Sequence, residues 1–330
     1  MVKPTVISLF AGCGGSSLGY KYAGFKELLA IEWDDNAVKT FKLNFPNVPI
    51  WQKDIKEITG QEIINSLGIK KGELDLLDGS PPCQGFSTAG KRIVSDGRND
   101  LVNENIRLIE ELEPKVFVIE NVSGMIKGKM KGLFIEYMKR MKSLNYQVKC
   151  KLMNTKYYNV PQSRQRVIFI GVRKDLGIEP SYPEGDKKLI KFIDAVKGLE
   201  EYTDRPLSEM LIEIGKKQPK NMWSSNPKIY KTIKGNLAGS FSTKWASFNN
   251  VLMTIPKSEI SITGIIHPNR KRYLNLSELK RCASFPDDFK FTDRKNGCNR
   301  IGNSVPPLFM KAIAEHIRIN ILEKAVMLNG

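Results

Sequence analysis

The sequence predicts an α/β fold: a mostly parallel sheet with helices on both faces, and a smaller, irregular domain beside it. Three observations carry this reading. Short apolar runs alternate with amphipathic stretches through the first half of the chain. A glycine-rich turn follows the first apolar run. The alternation dissolves after about Asp175 and returns only near the end. Alternation of this kind produces βαβ units and hence parallel strands.

Taken in order, the strand candidates are Val6–Phe10, Leu28–Glu32, a short third strand before Lys53, then Leu74–Leu77, Val116–Glu120, Val148–Leu152 and Val167–Val172. Between them Asn36–Phe45, Gln61–Leu67, Val102–Leu112 and Lys131–Leu144 carry apolar residues at helical spacing. From Pro180 to about Arg272 the many Gly, Pro, Ser and Asn residues give no regular alternation. Helices return at Ser277–Ala283 and Leu308–Lys324, the last packing back on the first domain and making it discontinuous. The expected division is 1–180, 181–274 and 275–330.

Of the 330 residues 41% are hydrophobic and 26% charged, ordinary values for a globular chain. No signal peptide and no apolar run of membrane-spanning length is visible, so a cytoplasmic location is expected. The five cysteines are scattered without a C-x-x-C pair, and the two histidines lie far apart, which argues against a zinc site or a disulfide framework. The net charge of +17 calls for an anionic partner, most simply nucleic acid. A lysine-rich surface from a biased genome is the plain alternative, but the distribution speaks against it. Between Gly215 and Asn275 eleven basic residues face one acid, Glu259.

Two runs carry chemistry. In Gly79-Ser-Pro-Pro-Cys-Gln-Gly-Phe-Ser87, Cys83 follows a predicted strand, where open α/β sheets place their reactive groups, and two prolines restrict its backbone. A buried structural cysteine is the alternative. In Phe10–Gly19, Gly12 and Gly14 sit at a strand-to-helix turn where backbone can approach a ligand. Glu32 lies twenty residues beyond Gly12, at ribose-binding distance along the chain; Asp54 is placed to accept from an exocyclic amine, and Trp33 to stack on a purine. No phosphate-binding bases accompany them, and Ser17 occupies the third glycine position of a dinucleotide fingerprint. S-adenosylmethionine fits such a pocket better than NAD.

The runs FAGCGG (Phe10–Gly15), PPCQGFS (Pro81–Ser87), ENV (Glu120–Val122), QSRQR (Gln162–Arg166), RCASFPDDF (Arg281–Phe289) and GNSV (Gly302–Val305) occur together and in this order. In them the chain resembles the bacterial-type cytosine-C5 DNA methyltransferases. The resemblance implies a Rossmann-like fold binding S-adenosylmethionine, with a target-recognition domain in the unmatched gap that holds the basic stretch.

It further implies Cys83 as nucleophile, Glu120 as the group at cytosine N3, and Arg164 and Arg166 as stabilisers of charge at O2. Read alone, Glu120-Asn121-Val122 could equally cap a strand and the two arginines be surface ion-pair partners. Phe10, Gly12, Gly14, Glu32, Trp33, Asp54, Ile55, Pro82, Leu101 and Asn303 would form the cofactor pocket. Gln84, Ser87, Lys91, Arg92, Arg98, Lys234 and Lys244 would face double-stranded DNA. Phe241, Trp245 and Phe248 lie near Lys244, although aromatics of a small domain are more often core. A duplex cytosine must be flipped out to be reached. The expected enzyme is a monomer protecting DNA beside a cognate restriction endonuclease. The rival readings are RNA cytosine-C5 methylation and a catalytically idle DNA-binding paralogue.

Overall fold

Unbroken apolar runs become the centre of the sheet because both of their faces are covered, while the polar-studded run becomes its edge. The computed structural model describes residues 2–82, 100–126, 131–219, 227–235, 244–257 and 264–329. In chain order the first elements are β1 (Thr5–Leu9), α1 (Gly15–Tyr22), β2 (Lys26–Ile31), α2 (Asp35–Asn44), β3 (Ile50–Trp51), α3 (Gly60–Leu67), β4 (Leu76–Gly79), α4 (Asp100–Leu112), β5 (Val116–Val122), α5 (Lys131–Ser143), β6 (Tyr146–Asn154), β7 (Gln162–Ser163) and β8 (Gln165–Arg173). Next come α6 (Phe192–Ala195), α7 (Glu209–Lys217), α8 (Pro227–Lys234), β9 (Lys244–Trp245), β10 (Leu252–Met253), β11 (Ile265–Ile266), α9 (Leu276–Cys282) and α10 (Arg294–Asn303). The chain ends in α11 (Pro307–Ile317), a wider π-type stretch at Arg318–Glu323, and α12 (Lys324–Asn329).

The main sheet has seven strands in the order β3-β2-β1-β4-β5-β8-β6. β1 to β5 pair in parallel, and β8 runs antiparallel to both of its neighbours. All of β4 and nearly all of β5 is buried. The two edges differ. β3 has two residues, whereas β6 has nine and exposes Lys149, Lys151 and Leu152. Lys149 pairs with Glu179, and Lys151 lies over the Tyr182 ring.

Helix starts follow local chemistry. Asp34 accepts from the Ala37 N–H at the head of α2, and Thr59 accepts from the Glu62 N–H at the head of α3. Glycine at +64° in φ closes α3 at Gly68.

By internal contact the chain forms two compact units. The first comprises 1–154, 165–184 and 307–330, and the second 155–164 and 185–306. In the first, α1 packs on α11, and Gly19 makes the approach possible: a Cβ there would stand 2.6 Å from that of Met310. The second unit has its own small core of Leu207, Leu211, Ile214, Trp245, Ile266 and Tyr273.

The stretch expected to be irregular thus contains α7 and α8, and α10 was not anticipated either. Their apolar residues are few but helically spaced: Met210, Leu211 and Ile214 on α7, Ile229 and Ile233 on α8, all packed into the small core. Trp245 is buried there, the core reading of that aromatic. Phe248 is partly exposed and Phe241 lies outside the described residues. Among the described residues no helix is long and apolar enough to cross a membrane.

Candidate active site

The carboxyl ends of β1 to β5, together with the amino end of antiparallel β8, lie along one edge of the main sheet. In open α/β sheets that is the edge where ligands bind.

After β1 the backbone enters the left-handed region at Phe10 (φ 55°), Gly12 (φ 58°) and Gly14 (φ 94°). Gly14 is required twice over, since a Cβ there would stand 2.3 Å from the Phe45 ring as well as at positive φ. At Gly12 no atom of the described residues lies within 4 Å of where a Cβ would be. α1 begins immediately afterwards, with no side-chain cap at Gly14 and no acid in its first turn. A helix start of this kind is one at which N–H groups can meet an anionic ligand group.

Glu32 binds this turn to the end of β2. Its Oε2 accepts from the Gly12 N–H at 2.8 Å, and its Oε1 from the N–H groups of Trp33 (3.0 Å) and Asp34 (2.9 Å). Burial raises the pKa of the Glu32 carboxyl, and the three backbone donors oppose that rise. The Trp33 side chain stands 71% exposed, an open stacking platform. Asp54 follows β3, and its Oδ1 accepts from the Lys56 N–H, capping the short turn Ile55–Glu57; Ile55 is buried beneath it. Pro82 is exposed just beyond β4, and Leu101 is half-buried near the start of α4.

Glu120 is buried near the carboxyl end of β5, one residue before buried Asn121. Arg166 enters at the start of β8, and the two side chains form an ion pair, Nε to Oε1, at 2.6 Å. Both are largely shielded from water. Arg164, two residues earlier, behaves differently. It belongs to the second unit and is 3% exposed, and its Nη1 donates to the carbonyls of Gly302 (2.9 Å) and Ile255 (3.4 Å). Two expected motifs 138 residues apart therefore meet inside one unit. Gly302 fits only because it has no Cβ, which would stand 2.1 Å from the Pro256 carbonyl oxygen. Asn303, the last residue of α10, is in the same unit with an exposed side chain.

Lys244 on β9 is half-buried, and desolvation lowers the pKa of its ammonium. Lys234 is the last residue of α8. Cys83, Gln84, Ser87, Lys91, Arg92 and Arg98 lie outside the described residues.

Behind the glycine turn the structure assembles a group that sequence reasoning passed over. Ser8, Glu27 and Asp78 on β1, β2 and β4 lie beneath Ser16, Ser17 and Tyr20 of α1. The Glu27 carboxylate accepts from Ser8 Oγ (2.5 Å) and Ser17 Oγ (2.8 Å). Burial pushes Asp78 up to about 8 and Glu27 up to about 7, and the Tyr20 phenol is raised well above its usual range. The signal was an acid inside the apolar run Leu76-Leu77-Asp78-Gly79.

A glycine turn, an acid after each of the next two strands and a buried ion pair along one sheet edge define a nucleoside-binding α/β enzyme. The profile of the C-5 cytosine-specific DNA methylases matches residues 4–318. The chain is 32% identical to the type II methyltransferase M.XorII of Xanthomonas oryzae pv. oryzae, over 96% of this chain and 85% of that one. It is also 32% identical to M1.HphI of Haemophilus parahaemolyticus, over 95% and 86%. Among solved structures, a DNA modification methyltransferase encoded in an E. coli prophage superposes with a TM-score of 0.76 at 27% identity, covering 97% of this chain and all of that one. The S. pombe Dnmt2 methyltransferase shares the fold, with a TM-score of 0.69 at 15% identity over 98% and 99% of the two chains. The chain belongs to the C-5 cytosine-specific DNA methylases, enzymes of methyl transfer to cytosine in DNA. Membership implies S-adenosylmethionine as donor. The room beside Gly12 among the described residues, the uncapped start of α1, the Glu32 and Asp54 carboxyls and exposed Trp33 fit such a group.

Proposed function

We propose that this chain methylates C5 of a flipped-out cytosine within a short specific sequence of double-stranded DNA, through a transient covalent bond from Cys83 to C6. The observation that carries the reading is the buried Glu120–Arg166 pair at the sheet edge to which β4, the strand leading to Cys83, also runs.

The Cys83 thiolate adds to C6, which moves electron density onto N3 and makes C5 nucleophilic. Glu120 holds a proton at N3 as that density arrives, and Arg166 fixes its carboxyl in place. Bound S-adenosylmethionine supplies the electrophilic methyl group. Gly12, Glu32, Trp33, Asp54 and Ile55 would hold it, together with Phe10, Gly14, Pro82 and Leu101. After transfer the C5 proton leaves to water, N3 returns its proton to Glu120, the C5–C6 double bond re-forms, and the thiolate is expelled from C6. Arg164, sunk among main-chain carbonyls, supports the reaction by fixing its own unit.

The lysines of the second unit, Lys234 and Lys244 among them, would neutralise phosphates while its loops read bases. Residues 181–274 would form the target-recognition domain. Gln84, Ser87, Lys91, Arg92 and Arg98 would approach the extruded base. The names of the relatives M.XorII and M1.HphI support a place in a restriction-modification system. In this proposal the chain acts as a monomer alongside a cognate endonuclease.

The test is bisulfite sequencing of plasmid and host DNA from cells producing this chain, beside a Cys83→Ser control. Methylcytosine at one short motif, absent from the control, is the expected result. Unmodified DNA from cells holding folded, cofactor-binding protein would overturn the reading.

A further inference from the structure

Arg107, on the face of α4 that meets the segment after β3, makes more directed contacts than surface packing requires. Its Nε donates to Glu104 (2.8 Å) and its Nη1 to Glu111 (2.9 Å). Its Nη2 reaches two main-chain carbonyls of one turn, Ile55 (3.1 Å) and Ile58 (2.8 Å). Glu111 completes the clamp by accepting from the Gly60 N–H at the head of α3. Gly60 is fitted to it, since a Cβ there would stand 2.5 Å from that of Glu111.

The segment so held needs holding. β3 ends at Trp51, and the only regular structure between it and α3 is the three-residue turn Ile55–Glu57. One 3₁₀ turn is marginal without external support. Asp54 caps that turn, so the direction of its carboxylate depends on where Ile55 and Ile58 are fixed. A planar guanidinium serves two carbonyls and two carboxylates at once; an ammonium cannot span that geometry.

We infer that Arg107 is a positioning residue for the adenine end of the cofactor: the carbonyls of Ile55 and Ile58, anchored to α4, aim Asp54 at the exocyclic amine. This rests on the proposed role of Asp54.

The test is isothermal titration of the full chain with S-adenosylhomocysteine and with its inosine analogue, which has a carbonyl in place of the amine. Wild type, Asp54→Ala, Arg107→Lys and Glu104→Gln are compared. Wild type should prefer the adenosine ligand, and Asp54→Ala should lose that preference. Arg107→Lys should weaken S-adenosylhomocysteine binding about ten-fold and lose most of the preference, with a smaller loss in Glu104→Gln. The KM for S-adenosylmethionine should rise while kcat at saturation and the KM for DNA hold. Equal weakening of both ligands in Arg107→Lys would reduce the residue to general support and overturn the inference, as would unchanged binding. If Arg107→Lys does not fold, Glu104→Gln carries the same comparison. A wild type without preference, or an Asp54→Ala variant that keeps it, would instead remove the adenine role of Asp54, and the inference with it, before any Arg107 variant is weighed.

Discussion

Replacing Asp78 by asparagine should give a stability gain that grows with pH. The carboxyl is buried among Ser16, Tyr20 and Glu27, with Glu120 also bearing on it, and burial pushes its pKa up to about 8. In the unfolded chain an aspartate titrates near about 3.9. Between these values the native state keeps a proton that the unfolded chain has released, so wild-type stability falls as pH rises. The contribution is fully present below about pH 4 and has been lost once pH passes through about 8. One proton of difference is worth about 1.4 kcal/mol per pH unit, so the gap between Asp78→Asn and wild type should widen by about 3 kcal/mol from pH 5 to pH 7. Above pH 8 it should flatten. Urea unfolding of both proteins across pH 5 to 9 measures the gap directly, and titrating groups that do not interact with Asp78 cancel in the difference. Glu27→Gln should move the flattening point down, because the Glu27 charge helps raise Asp78. A gap that stays constant from pH 5 to pH 8 would refute the reasoning, for it would mean that the carboxyl is ionised throughout.

Three further outcomes follow from the geometry. Gly14→Ala must take both positive φ and a collision with Phe45, and should cost about 3 kcal/mol, whereas Gly12→Ala meets only the φ penalty of about 1 kcal/mol; calorimetry separates the two. Glu120→Gln should abolish methyl transfer and, by leaving the Arg166 charge unpaired, lower the melting temperature, as should Arg166→Met, which strands the carboxylate; each should cost about 3 kcal/mol by thermal melting. Gly302→Ala drives a Cβ into the Pro256 carbonyl and should loosen the second unit by about 3 kcal/mol, seen as faster hydrogen exchange around Arg164.

The sheet was legible because its signals are local. Val6–Phe10 became Thr5–Leu9 and Val116–Glu120 became Val116–Val122, shifts of one or two residues at the ends. The reversed direction of β8 was not legible, since an apolar run reads alike either way; only its pairing with β5 and β6 reveals it. Arg164 and Arg166 looked like one feature at spacing two. The unit border falls between them, so one pairs with a carboxylate and the other with carbonyls about 90 and 138 residues away. Arg107 was invisible for the same reason: its partners on the Ile55–Ile58 turn are some 50 residues distant and are main-chain atoms with no side-chain signature. In α7 and α8 the helical period was present but diluted by lysine, glycine and asparagine nearby.

The nine-residue edge strand β6 also bears on how the chain survives at high concentration. A long strand with free backbone groups is a template onto which another chain can grow. Here an incoming strand would have to strip water from Lys149 and Lys151, and to displace the segment bearing Glu179 and Tyr182, which pins both lysines in place. At the opposite edge, β3 is too short to seed a ladder. Neither margin favours fibrous growth. Charge-removing changes at Lys149 and Lys151 should therefore appear first as turbidity in concentrated solution, before any loss of catalysis.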